Sequence, residues 1–163
     1  SIIVARNDKE KCAYPISENI HHDGILDTSI VPARIDETTA KQISSYALEI
    51  IEKLNYIGVL AIEFFITDDN QILANEMAPR PHNSGHWSLD ACNVSQFEQL
   101  VRSICGLPIQ EVKLLNKCKM INILGDDIGK YIQLLKGPEN SVTLYGKTVV
   151  SDRRKMGHIN IID

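Results

Sequence analysis

Residues 59–77 constrain the fold more than any other stretch. Val59-Leu-Ala-Ile-Glu-Phe-Phe-Ile-Thr67 and Ile72-Leu-Ala-Asn-Glu-Met77 are strand-forming runs separated by Asp68-Asp-Asn-Gln71, a pattern that predicts a β-hairpin closed at Asp69-Asn70. Period-two alternation then assigns the faces. Ile62, Phe64, Ile66, Leu73 and Met77 form an apolar face, expected to be the core face. Glu63 shares the other with Ala61, Phe65, Ala74 and Ala78 and falls opposite Glu76. Directly opposed side chains have Cβ atoms roughly 4.5 to 5.5 Å apart, so two ionised carboxylates there repel one another. A hard divalent cation such as Mg²⁺ relieves the repulsion, since it takes oxygen ligands from carboxylates and nucleotide phosphates together. Two glutamates on a wet sheet face fit the same spacing, which by itself leaves both readings open.

The rest of the chain predicts an α+β fold. Strands are expected at 1–6, 12–18 and 29–34. From Asp36 to Asn55 the period lengthens, and Ala40, Ile43, Ala47, Ile50, Ile51 and Leu54 share one helical face behind an Asp36 N-cap. Ser95-Gln-Phe-Glu98 has capping-box spacing, Phe97, Leu100, Val101 and Ile104 make an apolar stripe, and Gly106 and Pro108 end the helix. Beyond it come short strands at 120–124, 142–145 and 158–162, with turns at Gly125, Gly137-Pro138 and Gly146. A boundary near Val112 divides 1–112 from a β-rich segment, 113–163.

Composition narrows the function classes. A net charge of −4 over 163 residues lacks the basic footprint of a binder of polymeric nucleic acid. No apolar run approaches the roughly 18 to 20 residues that span a bilayer, so no membrane partner is expected. Cys12, Cys92, Cys105 and Cys118 are scattered without a Cys-x-x-Cys pair, which suits reduced thiols in the cytoplasm. Ser1-Ile-Ile-Val-Ala-Arg6 reads as a strand with nothing before it, as a fragment would begin.

After Glu76 comes Met77-Ala-Pro-Arg-Pro-His-Asn-Ser-Gly-His-Trp87, stiffened by two prolines. Arg80 suits an oxyanion, and His82 and Asn83 suit orienting a small substrate or exchanging a proton with it. A turn whose polar side chains bond local backbone is the plainer alternative. His82 and His86 are four apart, but Pro81 and Gly85 argue against a helical zinc pair. Trp87, Leu89 and Cys92 are expected to pack into the core, with Asp90 a cap or a support for the site. Lys147, Arg153, Arg154 and Lys155, between Gly146 and Gly157, suit a phosphate cradle or simply a solvated face. His21-His22 is either a nucleotide contact or an exposed loop pair.

Gly58-Val-Leu-Ala-Ile-Glu-Phe-Phe65, Asn75-Glu-Met-Ala-Pro-Arg-Pro-His-Asn-Ser-Gly-His-Trp87, Ser95-Gln-Phe-Glu98 and Arg154-Lys-Met-Gly-His158 together resemble the 5-(carboxyamino)imidazole ribonucleotide synthases, a family of ATP-grasp ligases. The resemblance implies the second lobe of an ATP-grasp domain, a largely antiparallel sheet with packed helices, followed by a small β-rich C-terminal domain. It implies ATP- and Mg²⁺-dependent carboxylation of 5-aminoimidazole ribonucleotide with bicarbonate, through carboxyphosphate, in purine biosynthesis. By motif, Glu63 and Glu76 are the metal ligands and, with Asn75, the ATP-cofactor contacts. Arg80, His82 and Asn83 form the catalytic site, and Lys147, Arg154 and Lys155 hold the ribonucleotide. The family also implies a homodimer of the complete protein, and an N-terminal domain and first ATP lobe ahead of Ser1, so the chain alone is expected to be inactive. Another ATP-grasp carboxylate-amine ligase, or a noncatalytic nucleotide-binding or assembly module, stand as alternatives.

Overall fold

Apolar residues on both faces of the first strand demand cover on both sides. A computed structural model, describing residues 1–125, 128–131, 137, 139–151 and 153–163, shows how the chain supplies it. The turn expected at Pro138 lies outside these residues. Strands β1 (Ile2–Arg6), β2 (Lys11–Ala13), β5 (Gly58–Ile66) and β6 (Ile72–Ala78) form a four-stranded antiparallel sheet in the order β2-β1-β5-β6. One face, with Ile2, Val4, Leu60 and Ile62, is covered by Ile43, Ala47 and Ile51 of helix α1 (Glu37–Lys53). The other, with Ile3, Ala5, Val59 and Ala61, packs on Tyr14, Trp87, Ala91 of the short helix α2 (Ser88–Ala91) and the second sheet's Leu26, Val31, Cys118 and Met120. Helix α1 begins as its sequence predicts, with the Asp36 carboxylate accepting from the Thr39 amide at 2.9 Å.

The second sheet joins β3 (Glu18–His22), β4 (Ile25–Val31), β7 (Cys118–Leu124), β9 (Lys155–Ile162) and β8 (Asn140–Leu144), in that order. Its β4–β7 ladder runs from Thr28↔Ile121 to Val31↔Cys118, so hydrogen bonds cross the expected division at Val112. The C-terminal strands extend a sheet that the N-terminal segment starts. The strand expected at 12–18 is a crossover instead: β2 stops at Ala13, the Tyr14 amide still bonds the Ile3 carbonyl at 2.8 Å, and β3 begins at Glu18 in the other sheet. The strand expected at 29–34 starts earlier and ends before Pro32, which has no N–H to continue a ladder.

Three expectations about burial are corrected. The hairpin has no single core face, because β1 pairs with β5 only as far as Ile2↔Ile62. Beyond that point Phe65, Ile66, Leu73 and Met77 are exposed. Leu54 and Leu89 are exposed as well. Helix α3 (Gln96–Ile104) is turned away from most of its apolar stripe: Phe97, Val101 and Ile104 are exposed and Leu100 alone of the four packs on the core, while Gln96, Gln99 and Ser103 are buried. Its inner face serves loop backbone. Gln99 donates to the Gln110 carbonyl at 2.6 Å and accepts from the Gln110 amide at 3.2 Å, filling needs that a nonrepetitive segment cannot meet itself.

Candidate functional site

The hairpin places its carboxylates through two offsets that cancel. The turn has three residues, Asp68 to Asn70: the Thr67 amide bonds the Gln71 carbonyl, the Asn70 amide bonds the Thr67 carbonyl, and Asn70 is left-handed at φ 60°. The outer pairs therefore run Ile66↔Ile72, Phe65↔Leu73 and Phe64↔Ala74, one residue off the register expected for closure at Asp69-Asn70. Asn75 is then left unpaired as a bulge, and the inner pairs resume as Glu63↔Glu76, Ile62↔Met77 and Ala61↔Ala78. Ala74 moves opposite Phe64, and the opposed glutamates fall where the alternation put them. Asn75 and Glu76, consecutive in sequence, both line one cleft of about 1080 Å³.

His82 completes the group. One ligand atom from each of Glu63, Glu76 and His82 lies within 4.8 Å of the others, the arrangement among the described residues that could hold a metal ion. Nδ1 of His82 is 3.9 Å from Glu63 and Nε2 is 4.0 Å from Glu76. Burial lowers the His82 pKa, against Glu63 and Glu76, which raise it, and together with Arg80 and Lys155, which lower it. Its Nδ1 meets the Ser84 hydroxyl at 2.9 Å. Glu63 receives the Asn19 amide at 3.5 Å, and Asn19 is itself fixed by the Ser29 hydroxyl at 2.9 Å. These oxygen donors, with one carboxylate 60% exposed on the cleft side of the hairpin, suit a hard cation better than a soft one.

Positive charge lines the same cleft, carried by Lys147, Arg153 and Lys155. Burial lowers the Lys155 pKa, and Arg80 and Lys147 lower it further against Glu63 and Glu76. Lys147 donates to the Lys155 carbonyl at 2.7 Å and lies over the Tyr145 ring. Arg154, the residue expected here, instead donates to the Val149 carbonyl at 2.9 Å and does not line the cleft. Arg153, left-handed at φ 68°, takes the place and anchors on the Asp23 carbonyl at 3.2 Å. His21 lines the cleft and His22 is exposed.

The loop residues divide. Arg80 is exposed beside the site and donates to the Pro81 carbonyl at 3.0 Å. Asn83 is turned away: its amide and that of Asn122 exchange two hydrogen bonds of 2.8 Å, which leaves it a link to β7 rather than a group lining the cleft. His86 packs against Phe97, Tyr145 and His158, and its pKa falls to about 3, mainly through burial. Trp87 and Cys92 are buried as expected, and Asp90 accepts from Ser141 and Asn160, both at 2.6 Å. Asn19, Gln96 and Asn122 are the site's unforeseen residues, whereas Arg153 belongs to the basic run expected to suit a phosphate cradle.

An opposed carboxylate pair on an antiparallel hairpin faces lysine and arginine across this cleft, and the chain belongs to the ATP-grasp family. The model of the ATP-grasp domain matches residues 1–97, and that of the phosphoribosylaminoimidazole carboxylase C-terminal domain matches residues 118–163. The chain is 45% identical to the N5-carboxyaminoimidazole ribonucleotide synthase of Bacillus subtilis and 44% identical to that of Brucella melitensis, over 99% of its own length in each case. It covers 43% and 45% of those two proteins, so it spans less than half the length of the curated relatives it matches. A crystal structure of an N5-carboxyaminoimidazole ribonucleotide synthetase in complex with ADP superposes with a TM-score of 0.94 at 44% identity, over 99% of this chain and 44% of that one. The Aspergillus clavatus synthase in complex with ADP and 5-aminoimidazole ribonucleotide gives 0.92 at 30% identity, over 99% and 46%.

Proposed function

We propose that this chain is the nucleotide- and substrate-binding half of an N5-carboxyaminoimidazole ribonucleotide synthase, which joins bicarbonate to the exocyclic amine of 5-aminoimidazole ribonucleotide at the expense of ATP. The supporting observation is the single cleft in which Glu63, Asn75, Glu76 and His82 face Lys147, Arg153 and Lys155. Glu63 and Glu76 would hold Mg²⁺, with Asn75 beside them; when bound, the ion neutralises phosphate charge.

The chain's own groups then have separable tasks. Lys147, Arg153 and Lys155 bind the ribonucleotide phosphate and fix the amine in place. Attack of a bicarbonate oxygen on the γ-phosphorus breaks its bond to ADP and yields carboxyphosphate; Arg80, at the edge of the site, stabilises that anion. Carboxylation of the amine releases phosphate and one proton. His82, half-buried between the two glutamates, is the group placed to accept it. Arg154 and Asn83, expected as contacts, bond Val149 and Asn122 and are given no part in these steps.

Bicarbonate, a cytoplasmic setting and a homodimer of the complete protein belong to the same proposal and rest on the family resemblance. Among the described residues no helix is long and apolar enough to cross a membrane. The test is ADP release by the complete protein with ATP, Mg²⁺ and bicarbonate, with and without 5-aminoimidazole ribonucleotide. Stimulation by the ribonucleotide is expected; its absence would move the assignment to another acceptor.

A further inference from the structure

Loop 79–87 carries His82 without a strand partner, yet the His82 backbone is fully bonded. One side chain supplies both bonds of a strand partner, beside a turn bond from the Gly85 amide to the His82 carbonyl at 2.9 Å. Gln96, wholly buried at the start of α3, accepts from the His82 amide at 2.9 Å through Oε1 and donates to the His82 carbonyl at 2.8 Å through Nε2. His82 is extended, at φ −120° and ψ 148°, so the carboxamide stands in for the peptide group of a neighbouring strand. The second Nε2 proton reaches His86 Nδ1 at 2.9 Å, which requires that nitrogen to be the unprotonated acceptor. The Gln96 backbone amide donates to the Ser88 hydroxyl at 3.0 Å, which donates to the Gly85 carbonyl at 2.6 Å. A Cβ on Gly85 would lie 2.8 Å from Gln96 Oε1, so the glycine lets this carboxamide approach.

We infer that Gln96 is a positioning residue that sets the His82 imidazole between Glu63 and Glu76 by templating the His82 backbone. The inference rests on the proposed ligase reading for its kinetic consequence, and not for its geometry. Every hydrogen-bonding group of the carboxamide is used on residues 82 and 86, and none reaches the cleft. Gln96→Met keeps the length and bulk and loses all three bonds. The His82 amide then has no partner and its carbonyl keeps only the Gly85 amide, and displacement of the ring by about an ångström costs on the order of a hundredfold in turnover.

The experiment is a double-mutant cycle in the complete protein, with His82→Ala as the second substitution. Gln96→Met is expected to lower kcat about a hundredfold with KM for ATP changed less than about twofold. In the His82→Ala background it should cost less than about twofold more, because a residue acting through His82 has nothing left to position. Equal losses in both backgrounds would show a merely structural role and overturn the inference. Ribonucleotide-independent wild-type turnover would defeat the ligase reading alone, since the same cycle can be run on basal ADP release. ¹⁵N spectra of the histidine rings decide the geometry without turnover, and also cover a variant too unstable to assay. His86 Nδ1 is expected in its unprotonated acceptor form in the parent protein, and a protonated Nδ1 there would overturn the templating arrangement. Where Gln96→Met does not fold, Gln96→Glu, which retains the acceptor but loses the donor to His82, takes its place in the cycle.

Discussion

Replacing Asn122 by alanine should unfasten the His82 loop from the second sheet, and the cost can be worked from three hydrogen bonds. Asn122 is fully buried in β7; its Nδ2 donates to the Leu26 carbonyl and to Asn83 Oδ1, and its Oδ1 accepts from Asn83 Nδ2, all at 2.8 Å. Alanine leaves the Leu26 carbonyl without this donor inside the protein, at about 1 to 3 kcal/mol. Asn83 is only half-buried, so water recovers part of what its amide loses, and about 1 kcal/mol is assigned there. The total is about 2 to 4 kcal/mol. Asn83→Ala should cost about 1 to 2 kcal/mol, because Asn122 keeps its bond to Leu26. The double variant should fall short of additivity by about 1 kcal/mol. Urea unfolding of the 163-residue chain measures all three, read as midpoint shifts at constant slope. An Asn122→Ala chain within about 0.5 kcal/mol of the parent would refute the reasoning.

Gly157→Ala places a Cβ 2.4 Å from the Thr143 carbonyl oxygen and 3.0 Å from the Leu144 side chain. It should cost about 3 kcal/mol by the same urea assay, and a neutral result would show that β8 can move away. His86 unfolds from a pKa near 6.5 and is held at about 3 when folded. Its contribution is fully present above pH 6.5 and is lost as pH falls from there toward 3. Below pH 6 stability should drop by up to about 1.4 kcal/mol per pH unit for this one proton, and His86→Gln should flatten the slope of midpoint against pH. The 163-residue chain by itself should release ADP from ATP no faster than a heat-denatured control, whereas robust Mg²⁺-dependent turnover would show that no further lobe is needed.

What sequence conveys here follows the range of the interactions involved. Alternation and capping are local, so the hairpin, α1 with its Asp36 cap and the Glu63–Glu76 opposition could all be read directly. That opposition survived a misjudged turn only because the bulge at Asn75 compensates, and nothing in a polar residue's identity announces a bulge. Helix α3 shows the opposite case. Its period was evident but its orientation was not, because Gln96, Gln99 and Ser103 are buried for the sake of loops distant in sequence. The sharing of one sheet across Val112 is a long-range pairing of Thr28–Val31 with Cys118–Ile121, and periodicity carries no information on partners. Family resemblance marked the basic run as a substrate site, yet only the backbone at Arg153 decides which of its side chains enters the cleft.

The central claim is that Glu63 and Glu76 jointly hold a divalent cation. Its most direct measurement uses Mn²⁺ in place of Mg²⁺, titrated into the complete protein with ADP present and followed by electron paramagnetic resonance. The account predicts that Glu63→Gln and Glu76→Gln each weaken Mn²⁺ binding by at least about tenfold, equivalent to about 1.4 kcal/mol, with ADP still bound. Mn²⁺ affinity unchanged in both variants would contradict it.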